Sequence, residues 1–144
     1  MKATSTRRRW LVVDDNPQVL DLAARMLRME TSAEVVPCSR PEEAIEACLA
    51  DPDGFELLLT DFDMPCMDGI ELASVLGAAA PHLRVILMTG SQLNEIQLLR
   101  AEVNLVLPKP FTREMLMDGV TALLGGRQDG SRIPGSVGPV VCSN

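Results

Sequence analysis

Five short, largely apolar runs punctuate this chain, and most of them stop at a residue that carries chemistry. The runs are 10–13, 33–37, 55–60, 85–88 and 105–107. Runs of this length with apolar residues on every side are the pattern of strands covered on both faces. Between them, apolar residues recur at helical spacing. The stripes are Val19, Leu22, Ala23, Met26 and Leu27; then Ala44, Ile45, Cys48 and Leu49; then Ile70, Leu72, Ala73 and Leu76. Ile96, Leu99 and Val103 mark a fourth helix, and Leu116, Val120, Leu123 and Leu124 a last one. Strand and helix in regular alternation predict an α/β chain with a parallel sheet and helices on both faces. Right-handed crossovers leave few topologies for such a chain.

Local signals agree with this division. Asn16-Pro17 reads as an N-cap followed by proline in the first helical turn. Ser39-Arg40-Pro41-Glu42 reads as a capping box, and Thr112 caps the last helix. At 144 residues the chain suits one domain. It has no Tyr, one Trp and three Phe, so the core is aliphatic. Met26, Met88 and Met115 fall at core positions. Residues 1–8 read as a disordered basic arm, 9–124 as the folded domain, and 125–144 as a disordered tail rich in Gly, Ser and Pro.

The charge balance is acidic, with 20 Asp and Glu against 13 Lys and Arg, and three of the basic residues are the run Arg7-Arg8-Arg9 in the arm. A nucleic-acid partner is therefore not expected. Cys38, Cys48, Cys66 and Cys142 show neither zinc-site spacing nor a disulfide framework, and read as reduced thiols of a cytoplasmic protein. No stretch has the length and apolarity of a membrane span or signal peptide. His82, in a loop after Pro81, carries no assigned role.

The strand ends carry the functional signal. Asp14 and Asp15 follow the first run, Asp61 the third, Thr89 the fourth and Lys109 the fifth. In an open parallel sheet these ends share one edge, where such sheets bind ligands. Three carboxylates at one place repel one another, and a hard divalent cation relieves the conflict. Lys109 adds a mobile positive charge, Thr89 a hydroxyl, and Gly90 an amide that no side chain obstructs. Such a set stabilises the spread charge of a transferring phosphoryl group.

Val-Val-Asp14-Asp15-Asn16, Leu-Thr-Asp61-Phe-Asp63-Met64-Pro65-x-Met-Asp68-Gly69, Leu-Met-Thr89-Gly90 and Pro-Lys109-Pro110-Phe111 occur in this order, each at a strand end. With these motifs, over residues 10–124, the chain resembles the receiver domains of two-component response regulators. The resemblance implies a flavodoxin-like, doubly wound five-stranded sheet of order 2-1-3-4-5. It implies Asp61 as phospho-acceptor, with Mg2+ (or Mn2+) held by Asp14, Asp15, Asp61 and the backbone carbonyl of Asp63. Thr89, Gly90 and Lys109 would bind the phosphoryl group, and the Lys109–Pro110 peptide would be cis. The donor would be a sensor histidine kinase or a histidine phosphotransfer protein. The domain would act alone, as a monomer or weak dimer, docking on a downstream protein or relaying the phosphoryl group onward.

Two departures from the family pattern stand out. Val106 occupies the position where receivers carry a switch aromatic, too small to report the same motion. Glu102 replaces a common glycine at the end of the fourth helix, with Asn104 available as a left-handed cap. Two rival functions share parts of this pattern. A haloacid-dehalogenase-type phosphatase shares the Asp61-x-Asp63 pattern, but places it on the first strand and its acidic pair late, the reverse of this chain. A pseudo-receiver that only docks would have lost an acidic residue or the lysine, and none is lost.

Overall fold

A computed structural model describes residues 9–90 and 103–125. The elements are β1 (Arg9–Val13), α1 (Pro17–Glu30), β2 (Glu34–Cys38), α2 (Pro41–Ala50), β3 (Leu57–Asp61), α3 (Gly69–Ala79), β4 (Arg84–Thr89), β5 (Leu105–Pro108) and α4 (Arg113–Val120). A π-helical turn, Thr121–Gly125, follows α4. All strands pair in parallel, in the order β2-β1-β3-β4-β5. The sheet and its order are those expected.

Alternation along each strand splits the core into two layers. Trp10 and Val12 of β1, Leu57 and Leu59 of β3, and Ile86 and Met88 of β4 face α1 and α4. They meet Ala23, Ala24 and Leu27 on one helix and Leu116 and Val120 on the other. Leu11, Val13, Leu58 and Val85 face the opposite way, onto Ala44 and Cys48 of α2 and Leu72, Ala73 and Leu76 of α3. Every residue of β3 is buried, because it lies at the middle of the sheet with helices above and below. Met88 is fully buried, while Met26 and Met115 pack against the core from its margin.

The helix starts follow sequence chemistry with one correction. Asn16 Oδ1 accepts from the N–H groups of Gln18 and Val19, and Pro17 opens α1. Thr112 Oγ1 accepts from Met115 N–H at 3.0 Å. The expected capping box at Ser39 and Glu42 does not form. Pro41 takes the first helical position, which makes Arg40 the N-cap, and Arg40 makes no side-chain cap bond. Glu43 instead accepts from the Ser39 N–H at 2.9 Å. A full capping box appears at α3, where the Asp68 side chain accepts from Glu71 N–H and the Glu71 side chain accepts from Asp68 N–H.

Other expectations shift by smaller amounts. Leu22, expected in the α1 stripe, is half-exposed, and Ala24 is buried in its place. The last α-helix ends at Val120 and continues as a wider π turn through Gly125. Ile96 and Leu99 of the expected fourth helix lie outside the described residues, as do 1–8 and 126–144. Val103 is described; it lies just ahead of β5 and packs against the layer under α2 and α3.

Asn104, expected as a left-handed cap for a helix outside the described residues, makes a paired contact with β4. Its Oδ1 accepts from Val85 N–H at 2.7 Å, and its own N–H donates to Val85 O at 2.9 Å. The pair fastens the start of β5 to β4. Asn104→Ala should lower unfolding free energy by about 1 kcal/mol, the usual net value of one such bond, as measured by urea titration.

Candidate metal and phosphoryl site

The site forms where β1, β3, β4 and β5 end together. Parallel pairing puts Asp61 opposite Met88 and Thr89 opposite Pro108, so the polar residues that follow or end these strands share one edge. Asp14 leaves β1 and is held by its surroundings. Its N–H donates to Cys38 O at 3.2 Å, and its Oδ1 accepts from Asn16 N–H at 2.9 Å. It is completely buried, whereas Asp15 is exposed. Asp61 ends β3 with 5% of its surface exposed. Carboxylate oxygens of Asp14, Asp15 and Asp61 all lie within 4.8 Å of one another.

Lys109 answers this negative cluster. Its Nζ lies 2.8 Å from Asp61 Oδ1 and 3.2 Å from Asp14 Oδ2, joining residues 95 positions apart in the latter case. Its N–H donates to Thr89 O at 2.9 Å, and its peptide bond to Pro110 is cis. Thr89 is buried at the end of β4. Gly90 follows it, exposed, and a Cβ there would meet no described atom within 4 Å. Asp63 lies exposed on the loop after β3, and Val106 is half-buried in β5 opposite Leu87.

Burial and charge pull against each other here. Desolvation pushes the Asp61 carboxyl above the usual aspartate range; the Lys109 hydrogen bond and charge oppose this, and Asp14 and Asp15 add to it. Burial alone would depress Lys109, but its hydrogen bond to Asp61 and the charges of Asp14 and Asp61 outweigh that and hold its pKa above the ordinary lysine value. Cys38 and Cys48 are buried in the apolar layer against α2 and α3, and of the two only Cys38 touches the site, through its carbonyl to the Asp14 N–H. Burial, with Glu43 adding, pushes the Cys38 thiol up to about 11, and burial, with Asp51 adding, raises Cys48.

The donors fit a hard divalent ion. They are carboxylate oxygens, more numerous than the nearby ammonium neutralises, and close enough for one cation to meet. Sequence reasoning missed two contacts beside Asp61. Thr60 Oγ1 donates to Asp61 O at 3.0 Å, and Gly69 N–H donates to Phe62 O at 2.9 Å. A hydroxyl in a strand that is otherwise leucine up to the aspartate was the available signal.

Known proteins share both the sequence pattern and the fold. Residues 10–121 match the family model for the response regulator receiver domain. The two-component response regulator ARR2 of Arabidopsis thaliana is 36% identical over 90 residues, covering 62% of this chain and 13% of that protein. Sensor protein TorS of Escherichia coli K12 is 32% identical over 110 residues, 75% of this chain and 12% of that protein. The chain thus spans only a small part of the length of these relatives. The response regulator receiver protein Anae109_2439 of Anaeromyxobacter is 34% identical over 77% of this chain and 46% of its own length. Among solved structures, a receiver domain from Clostridium thermocellum superposes with a TM-score of 0.76 at 22% identity, covering 86% of this chain and 99% of the other. The response regulator TrrA of Thermotoga maritima, solved with Mg2+ and a beryllium fluoride, gives 0.70 at 26% identity, over 81% of this chain and 99% of the other. With the 2-1-3-4-5 sheet, the acidic edge and a family match running from β1 to the end of α4, the chain belongs to the response regulator receiver domain family.

Proposed function

We propose that Asp61 accepts a phosphoryl group from a phosphohistidine donor in a magnesium-dependent reaction. The observation that carries this reading is the meeting of three carboxylates and Lys109 at the strand ends. A carboxylate oxygen of Asp61 attacks phosphorus as the bond from phosphorus to the histidine nitrogen breaks, and the imidazole leaves with that electron pair. Asp14, Asp15, Asp61 and the backbone carbonyl of Asp63 would hold the ion. Bound magnesium supplies charge neutralisation for the phosphoryl oxygens.

The chain's own residues do the rest. The Lys109 ammonium, already seated against Asp61 and Asp14, pairs with the incoming phosphoryl oxygens. Thr89 offers its hydroxyl and Gly90 its N–H to the same oxygens. Receiver domains work with histidine kinases or phosphotransfer proteins, so the donor here is a protein of that kind. The signal then passes to a downstream protein. Val106 has no ring to reorient, so the output on the β5 side does not use an aromatic switch.

Incubation with magnesium and acetyl phosphate should add one phosphoryl group per chain by intact mass. Asp61→Asn should add none; an adduct that survives this substitution, or no adduct with any phosphodonor, would overturn the assignment.

Melting without and with magnesium gives a second test. Folding raises the Asp61 pKa, so the folded chain holds that proton more tightly than the unfolded chain does. Stability from this group therefore falls as pH rises from the ordinary carboxylate range through the folded pKa. At neutral pH, Asp61→Asn should raise the metal-free melting temperature. Magnesium should raise the melting temperature of the native protein more than that of the variant.

The same direction sets the pH dependence of metal binding. Protons compete with the ion for Asp61, so magnesium affinity should weaken on acidification, beginning above the pH where an ordinary aspartate titrates. Calorimetric titration at several pH values measures this. An affinity constant down to the ordinary aspartate range would contradict it.

A further inference from the structure

Thr60 is out of place as a packing residue. It is completely buried, and its neighbours at the same register are Val13 on β1 and Leu87 on β4. The residues before it in β3 are Leu57, Leu58 and Leu59. Valine has nearly the shape of threonine and would avoid burying a hydroxyl, which is costly unless the hydroxyl is hydrogen-bonded. The hydroxyl has a partner, the carbonyl oxygen of Asp61 at 3.0 Å.

The same oxygen is confined by Gly69. A Cβ at Gly69 would collide with the Asp61 carbonyl oxygen and would lie 2.7 Å from Leu87 Cδ1. Gly69 is therefore bare where it passes Asp61. Its N–H donates to Phe62 O at 2.9 Å, and Phe62 N–H donates to Met88 O at 2.8 Å. The peptide that follows Asp61 is thus fixed by β4, by the start of α3 and by the Thr60 hydroxyl. Its orientation sets where the Asp61 side chain points, and that side chain must meet Asp14, Asp15 and Lys109.

We infer that Thr60 is a positioning residue for phosphoryl acceptance: its hydroxyl, holding the Asp61 carbonyl against the bare Cα of Gly69, aims the Asp61 carboxylate. The inference rests on the assignment of Asp61 as acceptor. Thr60 touches the main chain of the acceptor and acts through it.

Two substitutions separate aim from stability. Thr60→Val keeps the volume and removes the hydroxyl. Thr60→Ser keeps the hydroxyl and leaves a methyl-sized gap. With acetyl phosphate at saturating magnesium, Thr60→Val should slow phosphorylation about tenfold, a modest loss on the scale of misplaced reacting groups, while melting no lower than Thr60→Ser. Thr60→Ser should melt lower yet react at close to the native rate. Rates that follow melting temperature across the two variants, or a native rate for Thr60→Val, would overturn the inference. If Thr60→Val does not fold, Thr60→Ala against Thr60→Ser gives the same comparison, since these differ only by the hydroxyl.

Absence of any adduct on the native protein would refute the acceptor assignment and leave a separate measurement of the positioning contact. The 13C shifts of the Asp61 carbonyl and carboxylate carbons, read by NMR, should move in Thr60→Val and stay near native in Thr60→Ser. Shifts unchanged in both variants would overturn the contact.

Discussion

The contact between the Lys109 ammonium and the carboxylates of Asp61 and Asp14 is the constraint around which the rest of the molecule is arranged. Gathering three carboxylates within 4.8 Å at a largely buried strand edge opposes folding unless positive charge meets them. Lys109 supplies part of that charge from the far side of the sheet order. To reach Asp61 it needs β5 beside β4, and β4 beside β3, in one register. The apolar layers above and below the sheet supply the burial that offsets the cost. The same desolvation that makes the cluster costly strengthens each charge interaction within it.

Much of this was legible in the sequence because the strands lie between two helical layers. Burial on both faces makes them read as unbroken apolar runs, and the polar residue that ends each run marks the edge of the sheet. Asp14, Asp61, Thr89 and Lys109 were therefore locatable without coordinates. Boundaries were less so, since the apolar run beginning at Phe55 precedes the first paired residue, Leu57. Phe55 is buried ahead of the strand, with the Arg9 guanidinium 4.3 Å from its ring centroid.

Other features depended on competition between local options. Ser39 looks like a cap, but Pro41 fixes the first helical residue and leaves Arg40 in the cap position. Asp68 and Glu71 do form a box, three residues apart, where the Asp68-Gly69 motif runs into α3. Leu123 and Leu124 keep helical spacing through the change from α to π winding, so periodicity alone does not mark Val120 as the end. Thr60 stands out in the sequence as a hydroxyl in a leucine run, but its partner does not; the position of that hydroxyl against the Asp61 carbonyl gives it meaning.

The fastening of β5 has a mechanical consequence. The strand has four residues, among the shortest elements of the fold, and it sits on the outer edge of the sheet. Asn104 bolts its entry to Val85, and the Lys109 amide bolts its exit to Thr89. An extended segment of that length spans about 13 Å, with little slack between its two anchor points. The strand is therefore pinned at both ends, with Val106 between the two anchors.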